Sequence, residues 1–357
     1  LAFLTCVVIS TSTGTATGTL TAVGTIMLPL GVQSGCSVEV MCGAVLGGSV
    51  FGDNLAPISD TTIASALTQE TTIKKVVRSR FKYAVVAGIF ASILLVIVGI
   101  QTTDAKAVTE LALDAANAKY LVFLIIPVLV VVLSLKGANL ITALLIGDAI
   151  GVVLLLALNC LSFADLFLAE GIFISGMEGM TGALLLIMFG FILSSIMQDT
   201  GLLNKVLGRI KRYARTPRSA EIICLLFIVV VSVVIGAPTV NIAICGPVVH
   251  EIMEQFKADR ARAANVLDGV SCGVGYLIPH NPPSMMLTGL AISTGAVLDP
   301  NFSPLNYIRY NFHCMGLVIV FVVVNLFDML VLDIGIFCHS KKLRIAGTED
   351  MDKEYKN

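Results

Sequence analysis

The chain has 357 residues, of which 56% are hydrophobic and only 13% charged, with a formal net charge of −1. A soluble domain carries about twice that share of charge, so this composition excludes an ordinary soluble protein. The basic residues form short clusters without interleaved aromatic residues, which argues against nucleic-acid binding. The nine cysteines lie mostly in apolar segments without metal-binding spacing, so neither a disulfide framework nor a metal centre is expected.

The apolar residues form long runs, as expected of helices that cross a bilayer. A crossing needs roughly 20 mainly apolar residues, and the backbone hydrogen bonds of a chain in lipid then require a helix. The predicted spans are 1–13, 18–33, 40–68, 83–101, 120–135, 138–158, 180–198, 221–236, 239–256, 264–296 and 312–337. The predicted fold is therefore an all-α integral membrane protein with these eleven crossings.

Basic residues in the connections predict how these spans are oriented. They are concentrated in the connections 69–82 and 199–220 and in the segment 339–357, whereas the connection 102–119 has more acidic than basic residues. Because short cytoplasmic loops are enriched in Lys and Arg, we expect the first three segments inside the cell and the last outside. This orientation predicts a multi-pass protein of the cell (inner) membrane whose residues 339–357 form a charged cytoplasmic tail.

An internal repeat relates the two parts of the chain. Residues 11–31 resemble residues 233–252, and residues 49–59 resemble residues 274–284. In this register His280 and Asn281 take the places of two apolar residues of the first copy, Leu55 and Ala56.

The loop charges of the two copies are opposite. The connection 31–38 has no basic residue, whereas its counterpart 254–263 has three. This difference predicts two inverted repeats with discontinuous transmembrane helices, as in many secondary transporters. The first repeat would occupy 1–101 and the second 102–338, and roughly 100 further residues are expected upstream to complete the first.

The segment GDNLAPISDTT (52–62) has the most informative functional pattern. It places Asp53 and Asp60 at mid-membrane depth on either side of Pro57. An uncompensated carboxylate there costs at least ~2.5–3.5 kcal/mol, so intramembrane acids usually face a cavity and take part in transport. Glycine and proline at this spacing predict a helix break whose free backbone groups need partners. The alternative interpretation is two half-helices that are merely capped by Asp and Ser side chains.

A hydroxyl-rich segment, TSTGTATGT (11–19), is the second candidate. Its six hydroxyl groups could provide oxygen ligands, and its two glycines permit close backbone approach. Serine and threonine in spans often bond only to the preceding turn, and the pair Gly14 and Gly18 is also typical of tight helix packing. For the cluster as a whole we favour a binding segment.

The repeat mates of these segments are less acidic. The second copy offers Thr239 and Asn241 in GAPTVN, and His280 and Asn281 in IPHNPPS, where three prolines predict a second break. A lone intramembrane histidine is more often a structural residue than a ligand. Asp148 is a candidate proton relay that could equally pack against a hydroxyl group, and Asp268 is expected near a membrane face as a helix cap.

Enzymatic functions are poorly supported. His250 and Glu254 belong to an HExxE sequence, not to the HExxH pattern that presents two zinc ligands on one helix face. An intramembrane aspartyl protease would need a GxGD element, which Val50 and Leu145 break. The expected protein is a transporter and not an enzyme, with no bound cofactor.

The two motifs resemble those of the NhaC-type Na⁺/H⁺ antiporter family within the wider ion transporter superfamily. The match is most specific at the residues Gly52, Asp53, Pro57, Ser59, Asp60, Thr61 and Thr62. In the hydroxyl-rich element, Ala16 departs from the family's pattern. The resemblance implies a secondary transporter, and relatives in the superfamily include both sodium–proton antiporters and exchangers of organic acids such as malate and lactate.

The sequence therefore predicts a transporter that exchanges Na⁺ for H⁺ at one carboxylate site. Asp53 is the expected exchanged carboxylate and the Na⁺ ligand, because sodium is a hard cation that prefers oxygen. The expected ion- or substrate-binding residues are Asp53, Asn54, Ser59, Asp60, Thr61, Thr62, Thr13, Thr15, Thr17, Thr239, Asn241, His280 and Asn281.

Two alternatives remain open at this point. One is an organic-acid or amino-acid exchanger of the same architecture, and the other is a passive channel, which would need a continuous polar stripe. We favour a bare cation because no Arg or Lys is expected in the apolar centre of any span, and arginine is the usual partner of carboxylate substrates. The expected partners are membrane lipid and Na⁺, H⁺ or a small organic acid, and a homodimer is left open.

Overall fold

A computed structural model describes residues 1–103, 140–158, 217–299 and 301–327, with isolated positions between 122 and 201. Every regular element among these residues is helical. The helices are α1 (Ala2–Thr13), α2 (Ala16–Gln33), α3 (Val38–Leu55), α4 (Asp60–Thr68), α5 (Ile73–Thr102), α6 (Leu140–Ala157), α7 (Pro217–Ile235), α8 (Pro238–Gln255), α9 (Arg260–Gly275), α10 (Pro282–Ser293), α11 (Pro304–Tyr307), which continues into a 3₁₀ turn (Ile308–Tyr310), and α12 (Phe312–Phe327).

Most predicted spans coincide with helices. The two long spans are each interrupted: 40–68 forms α3 and α4, and 264–296 forms α9 and α10. One boundary is wrong, because α5 begins at Ile73 and not near residue 83, so most of the predicted connection 69–82 is helical. The spans 120–135 and 180–198 and the tail 339–357 lie outside the described residues, apart from isolated positions.

Corresponding landmarks recur along the chain at a constant spacing. Gly14 separates α1 from α2 with φ 70°, and Gly236 separates α7 from α8 with φ 67°, both in the left-handed region that favours glycine. Helices α2 and α8, α3 and α9, and α4 and α10 also begin 222 residues apart, at 16 and 238, 38 and 260, and 60 and 282. We call residues 56–59 the first break and residues 276–281 the second break.

This spacing corrects the register predicted from the sequence. Ser59 and Asn281 are the residues that directly precede α4 and α10. Asn281 therefore corresponds to Ser59 and not to Ala56, and His280 corresponds to Ile58 and not to Leu55.

Helices α3 and α9 are at the centre of the two core regions. Helix α3 packs against α1, α2, α5 and α12, and α9 packs against α7, α8, α12 and α5. The short helices after the breaks cross over: α4 packs on α8 and α9, whereas α10 packs on α2 and α3. The two parts of the chain therefore interlock around the breaks.

Polarity is distributed as in a protein surrounded by lipid. Helix α5 leaves large apolar side chains such as Ile93, Val96 and Ile100 exposed, whereas Asp53 and Asp268 are buried. Among the described helices, only α5 is long and apolar enough to cross a membrane alone, and α11 with α12 forms a pair bent by 57° that would qualify as one span. The eleven-span topology therefore stays a prediction.

Two contacts identify which connections share a face of the bundle. Arg260, at the start of α9, lies 2.5 Å from the carboxylate of Glu70, just before α5. At the other end of α5, Thr103 lies 3.8 Å from the Cys36 sulfur in the α2–α3 connection. The basic α8–α9 connection and the basic start of α5 thus lie together, and the uncharged α2–α3 connection lies at the opposite end of α5.

Candidate functional site: a buried polar cluster at the first helix break

Asp53 lies in the last turn of α3, directly before the first break, and its side chain is only 2% exposed. Its Oδ1 atom has no hydrogen-bond partner among the described residues, and neither do the two polar side-chain atoms of Asn54, which is fully buried. Ser59 hydrogen-bonds to this carboxyl, and the charged residues Asp60, Asp268 and Arg80 lie near enough to interact with it electrostatically. Buried polar groups are nearly always paired, so unpaired oxygens on adjacent residues indicate a position for a ligand.

The backbone of α3 packs closely against α1 at this point. A Cβ on Gly52 would lie 2.5 Å from both the Ser10 Cβ and the Thr11 backbone nitrogen. A Cβ on Gly14 would likewise lie 2.4 Å from the Ile58 side chain. The two segments that the sequence singled out, 11–19 and 52–62, are therefore adjacent in space.

The hydroxyl groups of these two segments are arranged in different ways. Ser59 and Thr61 are buried, and their hydroxyl oxygens are 3.0 Å apart. Thr13 is 3.4 Å from Thr19, oxygen to oxygen, and the Thr15 hydroxyl accepts a hydrogen bond from the Gly18 amide as the N-cap of α2. Thr17 is partly buried. Helix capping thus explains the position of the Thr15 hydroxyl, whereas Ser59 and Thr61 flank Asp60 in the chain and Ser59 bonds to Asp53.

Asp60 connects the first break to the second copy. One of its carboxylate oxygens accepts a hydrogen bond from the Thr61 amide at 2.9 Å. The other accepts a hydrogen bond from the Thr239 hydroxyl, at the start of α8, at 2.7 Å. Asp60 is exposed, unlike Asp53, so the two carboxylates predicted at this depth lie in different environments.

Arg80 is the main residue that the sequence did not place in the site. It is fully buried, and its Nη2 lies 2.5 Å from the Asp268 carboxylate, in an ion pair that is not aligned as a regular hydrogen bond. Its Nη1 donates to the Asn54 carbonyl at 2.9 Å and to the Thr62 hydroxyl at 3.1 Å. Arg80 therefore lies inside the helix bundle and not, as the sequence had predicted, in a connection, and Asp268 is a mid-helix residue and not a helix cap.

A periodic pattern could have identified Arg80. The buried residues of α5 are Val76, Arg80, Ala84, Ala87, Gly88 and Ala91, which lie at helical spacing on one face. Arg80 belongs to this stripe of otherwise small or apolar residues, and the stripe extends beyond the predicted start of the span. The basic residues around Arg80 are typical of a cytoplasmic connection, so the sequence-based prediction assigned Arg80 to the connection 69–82.

The second break has the same backbone requirement but neutral partners. The Asn311 side chain, just before α12, donates to the Tyr276 carbonyl at the end of α9 at 3.2 Å. Tyr276 lies 222 residues after Asn54, whose carbonyl is bonded by Arg80. At each break, therefore, a side chain from a later segment bonds to a carbonyl at the end of the preceding helix.

The other predicted residues of the second copy have hydrogen bonds or contacts of their own. Asn281 caps α10 and donates to the Gly236 carbonyl, and the exposed His280 ring packs against Gly236. The Asn241 amide donates to Ser232 at 2.6 Å and to Ser271 at 2.7 Å. The structure does not bring these three side chains into contact with Asp53.

The remaining predicted positions add little to the site. Asp148 is an exposed residue of α6, and the structure shows no link between it and the first break. Within the described ranges, no group of three or more His, Cys, Asp or Glu side chains is arranged to hold a metal ion. A cation at Asp53 would therefore rely on one carboxylate with amide, hydroxyl or backbone oxygens.

Comparison with known proteins identifies the class as secondary transporters. A model of the Na⁺/H⁺ antiporter family matches residues 1–100 and 101–328, and the chain belongs to that family. It is 22% identical over 341 residues to the malate-2H⁺/Na⁺-lactate antiporter of Bacillus subtilis (strain 168), covering 88% of this chain and 71% of that protein. It is 27% identical over 238 residues to the Na⁺/H⁺ antiporter NhaC of the same organism, covering 60% of this chain and 52% of that protein.

A third relative is named as an antiporter of the amino acids arginine and ornithine. The chain is 20% identical over 304 residues to the arginine/ornithine antiporter ArcD of Halobacterium salinarum, covering 79% of this chain and 63% of that protein. The chain thus spans about half the length of the Bacillus NhaC and less than two thirds of ArcD.

Proposed function

We propose that this protein exchanges Na⁺ for H⁺ across the cell membrane and that Asp53 is the carboxylate that holds either ion. The observation that carries the proposal is a pair of adjacent, buried side chains, Asp53 and Asn54, each with an oxygen that has no hydrogen-bond partner, at the end of an interrupted helix. Two of its relatives are named as Na⁺/H⁺ antiporters, which supports the choice of Na⁺ and H⁺ as the exchanged ions.

The chemistry of the donors favours a hard cation. Carboxylate, amide and hydroxyl oxygens are what such cations prefer, and Asn54, Ser59, Thr61 and Thr62 supply the uncharged members of the set. A Na⁺ ion and a proton each neutralise one negative charge on Asp53. Because an uncompensated buried charge is costly, the site would cross between the two sides only with one of the two bound, and this exclusion couples the fluxes.

The broken helices and inverted repeats belong to the same proposal. The landmarks spaced by 222 residues and the crossed packing of α4 and α10 are what two symmetry-related halves would show. The α2–α3 and α8–α9 connections, which correspond in sequence, lie at opposite ends of α5, as inversion requires. The exposed apolar face of α5 supports a multi-pass location in the cell (inner) membrane.

The second candidate is an organic-acid exchanger, favoured by the similarity to the malate/lactate antiporter. The buried guanidinium of Arg80 would be the natural receptor of a carboxylate substrate. However, all three of its nitrogens already contact protein oxygens, on Asn265, Asn54, Thr62 and Asp268. The corrected position of Arg80 therefore leaves the cation as the better supported cargo.

The test is ion-dependent proton movement in inside-out vesicles that contain the protein and are acidified inside. Interior pH is followed while Na⁺, Li⁺, K⁺, malate, lactate or an amino acid is added separately. Proton efflux on addition of Na⁺ or Li⁺ alone is the expected result. A response that requires an organic substrate would replace this proposal by the exchanger.

A further inference from the structure

The Arg80 guanidinium joins three separate segments around Asp53. It bonds to the carbonyl of Asn54 at the end of α3, to the hydroxyl of Thr62 in α4, and to the carboxylate of Asp268 in α9. Its Nε also lies 3.4 Å from the Asn265 side-chain oxygen. The position of the first break relative to α9 is thus fixed by one side chain.

This arrangement puts a positive charge close to a site proposed for a cation. The titratable and charged groups near Arg80 and the proposed cation site are Asp53 on α3, Asp60 on α4, Asp268 and Cys272 on α9, and Tyr276 directly after α9. Asp268 contacts Arg80 directly, and it also accepts hydrogen bonds from Ser65 and Cys272, both at 3.2 Å. Its carboxylate is therefore held in place and is not free to serve as an ion ligand.

Capping a helix end does not in itself require charge. At the second break, the neutral Asn311 side chain donates the corresponding hydrogen bond to the Tyr276 carbonyl. A buried ion pair is no more stable than well-packed neutral groups, so stability alone does not explain why the first break uses one. The charged cap occurs at the break that carries the carboxylates.

We propose that Arg80 is a positioning residue of the exchange site and that Asp268 is its fixed counter-charge, which lets the guanidinium hold the break without repelling Na⁺. This inference rests on the proposed function. It goes further by assigning separate roles to the four charged residues of the cluster: Asp53 exchanges ions, Asp60 bonds to Thr239, Arg80 positions the break, and Asp268 cancels its charge.

The test compares charge-unbalanced and charge-balanced variants in proteoliposomes, with the KM for Na⁺ separated from the maximal rate. Asp268→Asn leaves Arg80 uncompensated, and we expect KM for Na⁺ to rise at least about tenfold, equivalent to about 1.4 kcal/mol. Adding Arg80→Gln to that variant restores the charge balance but weakens the hold on the break, so we expect KM to fall at least about threefold below that of Asp268→Asn and to stay above that of the wild type.

The matched control is Glu221→Gln. Glu221 pairs with Arg262 at 2.7 Å and links α7 to α9 away from the first break, with both side chains largely buried. We expect no more than about a twofold change in KM, because this variant perturbs a buried ion pair without changing the charge around Asp53.

The outcomes separate the possible failures. An unchanged KM in Asp268→Asn, or a double variant no better than the single one, would overturn the counter-charge role of Asp268, and a double variant equal to the wild type would overturn the positioning role of Arg80. If Asp268→Asn does not fold, Asp268→Glu, which keeps both the counter-charge and Arg80, must give a lower KM than the double variant, and an equal or higher KM overturns the inference. Absence of any Na⁺ response in the wild type would instead refute the proposed function.

Discussion

The first and second breaks share a backbone design but differ in their chemistry. Each follows a long central helix, and at each a free carbonyl is bonded by a side chain of a later segment, Arg80 in one case and Asn311 in the other. Asp53 and Asp60 flank the first break, and Asp268 is linked to it through Arg80, whereas residues 276–281 of the second break include no acidic side chain. The comparison indicates that the two breaks share the helix interruption, whereas the carboxylates Asp53 and Asp60 flank only the first.

The largest expected difference concerns the two capping side chains. Arg80→Gln leaves Asp268 buried without its ion-pair partner, so we expect a loss of about 3–5 kcal/mol in stability. Asn311→Ala removes a bond between neutral groups, and we expect a loss of about 1–3 kcal/mol. Thermal unfolding of the purified proteins measures both, with the exposed Arg309→Gln as a control expected within about 0.5 kcal/mol of the wild type. Equal losses at the two breaks would contradict the difference in chemistry.

The next effect concerns the close packing of α1 on the first break. Gly52→Ala would introduce a methyl group against the α1 backbone, so we expect a loss of about 1–3 kcal/mol from overpacking, together with reduced exchange. Gly99→Ala on α5 is the matched control, because no atom outside its own helix lies within 4 Å of the added carbon. We expect that control to be neutral or slightly stabilised. Unfolding measured on both variants checks the prediction, and a tolerant Gly52 would contradict the described contact.

The smallest effect tests the contact between the two copies. Thr239→Val removes the hydroxyl that donates to Asp60, a bond of about 0.5–1.5 kcal/mol, so we expect KM for Na⁺ to rise about two- to tenfold. Thr25, whose exposed hydroxyl bonds to carbonyls of its own helix, is the control, with Thr25→Val expected to change KM by less than about twofold. If both variants behave alike, the Asp60–Thr239 contact has no role in the resting site.

Much of this architecture could be predicted from the sequence, for physical reasons. Glycine and proline patterns located both breaks, because proline removes a backbone donor and clashes with the preceding turn of a helix. The exact repeat register could not be obtained, since pattern similarity between neutral and acidic segments tolerates a shift of three residues. Only the helix starts at Asp60 and Pro282 fixed it.

The main feature that the sequence did not reveal is the ion pair between Arg80 and Asp268. Arg80 lies six residues after a basic run begins at Lys74, and a sequence does not show whether such a residue faces water or folds back toward the core. The burial of Asp268 could not be predicted for the same reason, because a buried carboxylate is tolerable only where a partner such as Arg80 reaches it. Long-range pairing of this kind is a property of the packed helices and not of the local pattern.

The most direct test of the central claim compares Asp53→Asn with Asn281→Ser in the same Na⁺-dependent proton flux assay. Both replace a polar side chain next to a break, and serine preserves the helix cap at position 281. We expect Asp53→Asn to be folded, as judged by size-exclusion chromatography, and to lose Na⁺-dependent proton efflux, because an amide cannot exchange a proton for Na⁺. Asn281→Ser should retain efflux within about a factor of two to three. Efflux at the wild-type rate in Asp53→Asn would contradict the account.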